Sequence, residues 1–132
     1  MRRQLLPLLL ALLAGACGDG GPTGPAGPTP GVLKVALTTP NADDGALLLT
    51  ISGGRVSTVD AASTGYQVYT AQPDTVTTRV LVTGDLAAGE VVRIHVPDTR
   101  SVAAYHATIA QAASRTTFAQ RALTGYSLAV AP

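Results

Sequence analysis

The 132-residue sequence has no tryptophan, one phenylalanine, four tyrosines and a single cysteine. Each shortage excludes something. One cysteine forbids an intramolecular disulfide and any metal site built from several thiolates. Aromatics make up 4% of a chain that is 46% apolar, so a core has to come from Val, Leu, Ile and Ala. Charge is scarce: nine basic residues stand against eight acidic ones. Arg2 and Arg3 are two of the nine, and without them seven basic residues face eight acidic. That balance offers neither the basic patch that nucleic acid requires nor a polybasic membrane-binding segment. The longest apolar run, "LLPLLLALLAGA" from Leu5 to Ala16, is twelve residues. A helix needs roughly 20 to span a bilayer.

The run follows Met1-Arg2-Arg3 and ends in small residues. A basic start, a short apolar stretch and a small-residue end describe a secretory signal peptide, expected over residues 1–16. Leu13-Ala14-Gly15-Ala16 then leads directly into Cys17. This stretch resembles the lipobox of bacterial lipoproteins, with Ala14 where that family most often has Leu. The resemblance implies cleavage between Ala16 and Cys17 and a lipid on the Cys17 thiol. It implies an exported chain anchored to the cell membrane or outer membrane. In such lipoproteins an Asp directly after the cysteine marks inner-membrane retention, and here Gly18 follows. Anchoring by acyl chains has a simple energetic basis, about 0.8 kcal/mol per buried CH₂.

Residues 17–31 continue as "CGDGGPTGPAGPTPG", almost all Gly, Pro, Thr and Ala. The expected role is a flexible or polyproline-like tether. Its three Gly-x-y triplets are far too few for a collagen triple helix.

From residue 32 to 132 the pattern changes. "VLKVALT", "ALLLTIS", "RVSTVDA", "YQVYTA", "TTRVLVTG", "EVVRIHV", "AYHATIAQ" and "GYSLAVA" are rich in β-branched residues, and Gly, Pro, Asn and Asp separate them. Alternation puts Leu33, Val35 and Leu37 on one face of the first run and Leu47, Leu49 and Ile51 on one face of the second. In the sixth, Val92, Ile94 and Val96 are expected inward, with Val91, Arg93 and His95 outward. "SVAAYHATIAQAASR" has enough Ala for a helix, but Tyr105, Ala107 and Ile109 alternate with His106 and Thr108, so a strand is expected. Eight short strands in about 100 residues indicate a single all-β domain, an antiparallel β-sandwich. "DDGALLLTISGGRVSTVDAA" and "DLAAGEVVRIHVPD" resemble the cohesin-type, immunoglobulin-like sandwich of bacterial surface proteins. The resemblance implies the fold alone, and no binding residue is carried over from it.

Catalytic patterns are scarce. No Gly-x-Ser-x-Gly elbow and no phosphate-binding loop with its lysine occur. His95 and His106 are expected on outward strand faces. Asn41, Asp43 and Asp44 carry oxygens that could serve Ca²⁺, but the spacing is not that of an EF-hand, and a turn is the simpler reading. Asp60, Asp74, Asp85, Glu90 and Asp98 fall in or near turns. Tyr66 and Tyr126 each close a "TGY" and are expected to pack at the ends of the sandwich. "SRTTFAQRALTGY" places Arg115 and Arg121 around Phe118, and arginine and aromatic residues are favoured at interfaces. These three are the candidate partner-binding residues.

The expectation is a lipid-anchored envelope protein with a non-catalytic binding or structural module. It would bind a protein or polysaccharide, with no nucleic acid, metal or cofactor. A metal-dependent envelope hydrolase using turn carboxylates and a histidine is the alternative.

Overall fold

The computed structural model describes residues 27–132. The expected signal peptide, the expected cleavage point between Ala16 and Cys17 and the part of the expected tether before Gly27 lie outside the described residues. Eight strands form two four-stranded sheets: β1 (Gly31–Thr38), β2 (Asp44–Ser52), β3 (Thr58–Ala61), β4 (Gln67–Asp74), β5 (Thr77–Leu86), β6 (Gly89–Val96), β7 (His106–Ser114) and β8 (Ser127–Ala131). One sheet runs β3-β6-β1-β8 and the other β4-β5-β2-β7. Every pairing is antiparallel. Only β4 and β5 are joined as a hairpin within one sheet. The other connections cross between sheets, so the fold is the expected sandwich.

The core lies between the sheets and is aliphatic, as the composition requires. Leu33, Val35 and Leu37 of β1 and Val92 and Ile94 of β6 meet Leu47, Leu49 and Ile51 of β2 and Val80 and Val82 of β5. Tyr105 is the one aromatic among the fully buried apolar residues described. Its ring packs on the core while its hydroxyl donates to the Arg55 carbonyl at 2.7 Å. This is how a buried tyrosine avoids stranding its polar end.

Two expectations change. Val91 is buried, not outward. The β1–β6 register steps from Val35↔Val92 to Ala36↔Glu90, which leaves Val91 as an extra residue in a β-bulge. A bulge breaks the period of two, so adjacent residues Val91 and Val92 both reach the core. The run "SVAAYHATIAQAASR" also divides. Thr99–Ala104 is a 3₁₀ helix, capped by the Asp98 side chain accepting from the Arg100 N–H, and the strand begins only at His106. Asp98 offers the chain a local hydrogen bond that competes with strand pairing.

The same turn secures the end of the tether. The Thr29 N–H donates to Asp98 (3.2 Å), the Thr99 N–H donates to the Thr29 carbonyl (2.8 Å), and Arg100 donates to the Gly27 carbonyl (2.7 Å). Arg100 holds the Asp98 carboxyl at about 2, with the Thr29 N–H adding to the effect. The expected tether therefore ends in four residues fastened to the domain before β1 begins.

Candidate functional site

A polar knot at one end of the sandwich positions the candidate residues. Asp44 opens β2 and is 1% exposed, so it is a buried acceptor and not a solvated turn residue. It accepts from the Thr39 hydroxyl at 2.6 Å and from the Tyr126 hydroxyl at 2.5 Å, and Tyr126 in turn accepts from the Asn41 amide at 2.8 Å. Burial, together with the carboxylate of Asp44, pushes the Tyr126 phenol above its ordinary range. Asp43 accepts from the hydroxyls of Thr116 and Ser114, both at 2.9 Å, and from the guanidinium of Arg121. These two hydroxyls first, and Arg121 after them, hold the Asp43 carboxyl below the usual carboxylate range. Arg121 Nε lies 3.9 Å from Asp44 and has no hydrogen-bond partner among the described residues, so one guanidinium is set against two carboxylates. Neighbouring acidic residues on one turn would repel each other without that cation.

The knot fixes the β7–β8 connection to the β1–β2 turn. The Arg115 N–H donates to the Asp43 carbonyl at 2.7 Å. A Cβ on Gly45 would come within 2.6 Å of Arg115 Cα, so the close approach of the two backbones needs glycine there. After Ser114 the chain reverses: the Phe118 N–H donates to the Ser114 carbonyl and the Ser114 N–H to the Ala119 carbonyl. It then runs back along β7, with a bridge between Ala113 and Gln120 and the Arg121 N–H on the Ala112 carbonyl. This return covers the edge of β7 that would otherwise be open to pairing.

Phe118 sits at the tip of the reversal. Its φ is +58°, the one positive value at a non-glycine among the described residues, and it is 84% exposed. A bulky residue in that region is an outlier that costs about 1–2 kcal/mol. Sequence and structure therefore hold the sole phenylalanine in water on a strained backbone.

The outer faces of the two sheets differ. On the β3-β6-β1-β8 sheet the face is laced with ion pairs: Lys34–Glu90 at 3.7 Å, Arg93–Glu90 at 3.1 Å and His95–Asp60 at 2.6 Å. On the β4-β5-β2-β7 sheet an apolar strip runs among Thr83, Gln111 and Gln120. Ala46 and Leu48 of β2, Leu81 of β5 and Ala113 of β7 form its floor, and Phe118 stands between two hollows in it. A third hollow continues past Leu48 and Leu81 to Tyr69, Ala71 and Arg79. Tyr69 is 56% exposed, with its hydroxyl donating to Gln67 at 2.8 Å. Arg79 makes no ion pair with any described residue, whereas Arg115, at the far end, pairs with exposed Asp85 at 3.2 Å.

The structure thus brings Arg115, Phe118 and Arg121 into one connection but gives them different work. Phe118 is presented, Arg115 borders the apolar face, and Arg121 is turned inward to Asp43 and Asp44. Tyr66 and Tyr126 pack against the core at the ends of the sandwich. His95 is paired on one outer face, and exposed His106 starts a strand of the other sheet. Among the described residues no three His, Cys, Asp or Glu side chains gather where a metal ion could bind. No helix among them is long and apolar enough to cross a membrane. Sequence reasoning missed Tyr69, Leu48, Leu81 and Arg79. A signal was present: Leu47-Leu48-Leu49 and Val80-Leu81-Val82 are unbroken apolar runs, which mark strands with both faces covered.

No family model matches the chain. No curated protein and no solved structure matches it at a significant level.

Proposed function

We propose that this is a lipid-anchored cell-envelope protein whose sandwich is a non-catalytic binding module, docking a partner on the outer face of the β4-β5-β2-β7 sheet around Phe118. The observation that carries docking is Phe118 itself. An isolated exposed apolar residue needs no explanation, but this one combines a strained backbone, a buried polar knot behind it and a contiguous apolar floor beside it. Strain maintained by surrounding structure collects at ligand clamps, and apolar patches mark interaction sites. The lipobox resemblance at Cys17 supports the anchor, in the cell membrane or outer membrane, and the Gly/Pro-rich tether gives the domain room to meet a partner. The cohesin-like, immunoglobulin-like resemblance belongs to the same reading, since such sandwiches serve on bacterial surfaces. The partner is a protein or a polysaccharide.

The test places a photo-crosslinking amino acid at Phe118 and, in a second variant, at Arg93 on the other sheet's outer face. In cells that make the protein, adducts are expected at position 118 and not at 93. No adduct at 118, or equal adducts at both, overturns the docking reading. Cys17→Ser tests the anchor separately: the variant is expected to leave the membrane fraction, and its retention there, uncleaved, contradicts lipidation.

A further inference from the structure

Resting on that reading, we infer that the partner at this face is a protein segment carrying large apolar side chains flanked by carboxylates. Three features of the face select this chemistry. First, Phe118 is a fin with a hollow on each side. Burying both sides of the ring requires a partner that can place a side chain in each hollow. Second, the floor is the aliphatic set Ala46, Leu48, Leu81 and Ala113, with Gln111 and Gln120 as the hydrogen-bonding side chains of one hollow and Thr83, Ser114 and Arg115 of the other. Polysaccharide hydroxyls pressed onto those four aliphatic side chains would lose water without a replacement there, whereas apolar side chains gain by the same contact. Third, the charges are lopsided. Arg79 stands at one end of the trough without an ion-pair partner among the described residues. Arg115 stands at the other, paired with an Asp85 side chain that is 71% exposed. A solvated pair of that kind is worth little and exchanges readily for a partner's carboxylate. The face is therefore complementary to an acidic surface and poorly suited to a second copy of itself, which would set arginine-bearing ends together.

The test pans a phage-displayed random peptide library against the immobilised full-length chain in mild detergent. Alginate, an acidic polysaccharide, is assayed beside it by gel retardation, and self-association is measured by sedimentation. Selected peptides are expected to pair large apolar residues with Asp or Glu. Their binding is expected to fall by at least roughly tenfold in Phe118→Ala, as at an interface anchor. Arg79→Glu is expected to weaken the same peptides and shift selection toward Lys- or Arg-bearing ones. Both side chains are exposed, and an unchanged urea midpoint in each variant verifies the fold. The inference is overturned if panning selects nothing, selects basic or wholly polar peptides, or selects binders indifferent to both substitutions. It is also overturned if Phe118 is required for alginate retardation or for dimerisation instead. Any of these can occur while crosslinking at position 118 succeeds, so the inference can fail with the docking reading intact.

Discussion

Removing one hydroxyl from each of two tyrosines should have unequal consequences. Tyr66 and Tyr126 both follow a Thr-Gly turn, both donate their N–H to a turn carbonyl, that of Ser63 and that of Leu123, and both precede a strand. Their rings pack on the same core. The hydroxyls differ. Tyr126 donates to the buried carboxylate of Asp44 at 2.5 Å, while Tyr66 accepts from the Ala87 N–H at 3.3 Å in an exposed setting. A hydrogen bond to a charged group contributes about 1.5–3 kcal/mol, and a long, exposed neutral one contributes about 0.5 kcal/mol or less. Tyr126→Phe is therefore expected to destabilise by about 2 kcal/mol, lowering Tm by roughly 10 °C in a domain of this size. Tyr66→Phe should change stability by no more than about 0.5 kcal/mol. In an Asp44→Asn background the Tyr126 hydroxyl meets a neutral acceptor, and its removal should then cost about 1 kcal/mol. Urea unfolding of the four variants measures all of this. Equal losses at the two tyrosines, or an undiminished loss in the Asp44→Asn background, would refute the role given to the knot.

Other consequences follow from the same geometry. Phe118→Gly relieves the positive φ and is expected to leave stability unchanged or raise it by up to about 1 kcal/mol while removing the docking fin; a clear loss of stability would show that the ring supports the fold. Gly45→Ala places a methyl 2.6 Å from Arg115 Cα and should cost about 1–3 kcal/mol, with the β7–β8 connection displaced, as seen in backbone amide shifts near Arg115. Asp98 stabilises the folded state because its carboxyl is depressed to about 2 from 3.8. That contribution is complete above the unfolded value and disappears as pH falls through the folded one. The urea midpoint should accordingly drop further between about pH 5 and about pH 2 in the native protein than in Asp98→Asn. Parallel curves would contradict the assignment.

The sandwich was legible because its strands are short, β-branched and separated by turn residues. Leu33, Val35 and Leu37, or Leu47, Leu49 and Ile51, declare their inward face by spacing alone. Legibility stopped where register broke. A bulge at Val91 cannot be read from alternation, since the extra residue depends on the partner strand. The 3₁₀ turn at Thr99–Ala104 was hidden in a run whose alanines suit either structure. The candidate loop was visible through its composition, and Phe118 proved to be its exposed member. The inward turn of Arg121 was not visible, because Asp43 is 78 positions away in the chain. Tyr69 and Arg79 likewise join Phe118 only after β4, β5, β2 and β7 are set side by side.

The central claim is that the outer face of the β4-β5-β2-β7 sheet is covered when the protein is at work. Hydroxyl-radical footprinting of the native protein, first purified and then in intact cells that make it, addresses this directly. Phe118 and Tyr69 should oxidise rapidly in the purified protein and be protected in the cells, while buried Tyr105 stays slow in both. Oxidation of Phe118 and Tyr69 at the same rate in both settings would contradict the claim.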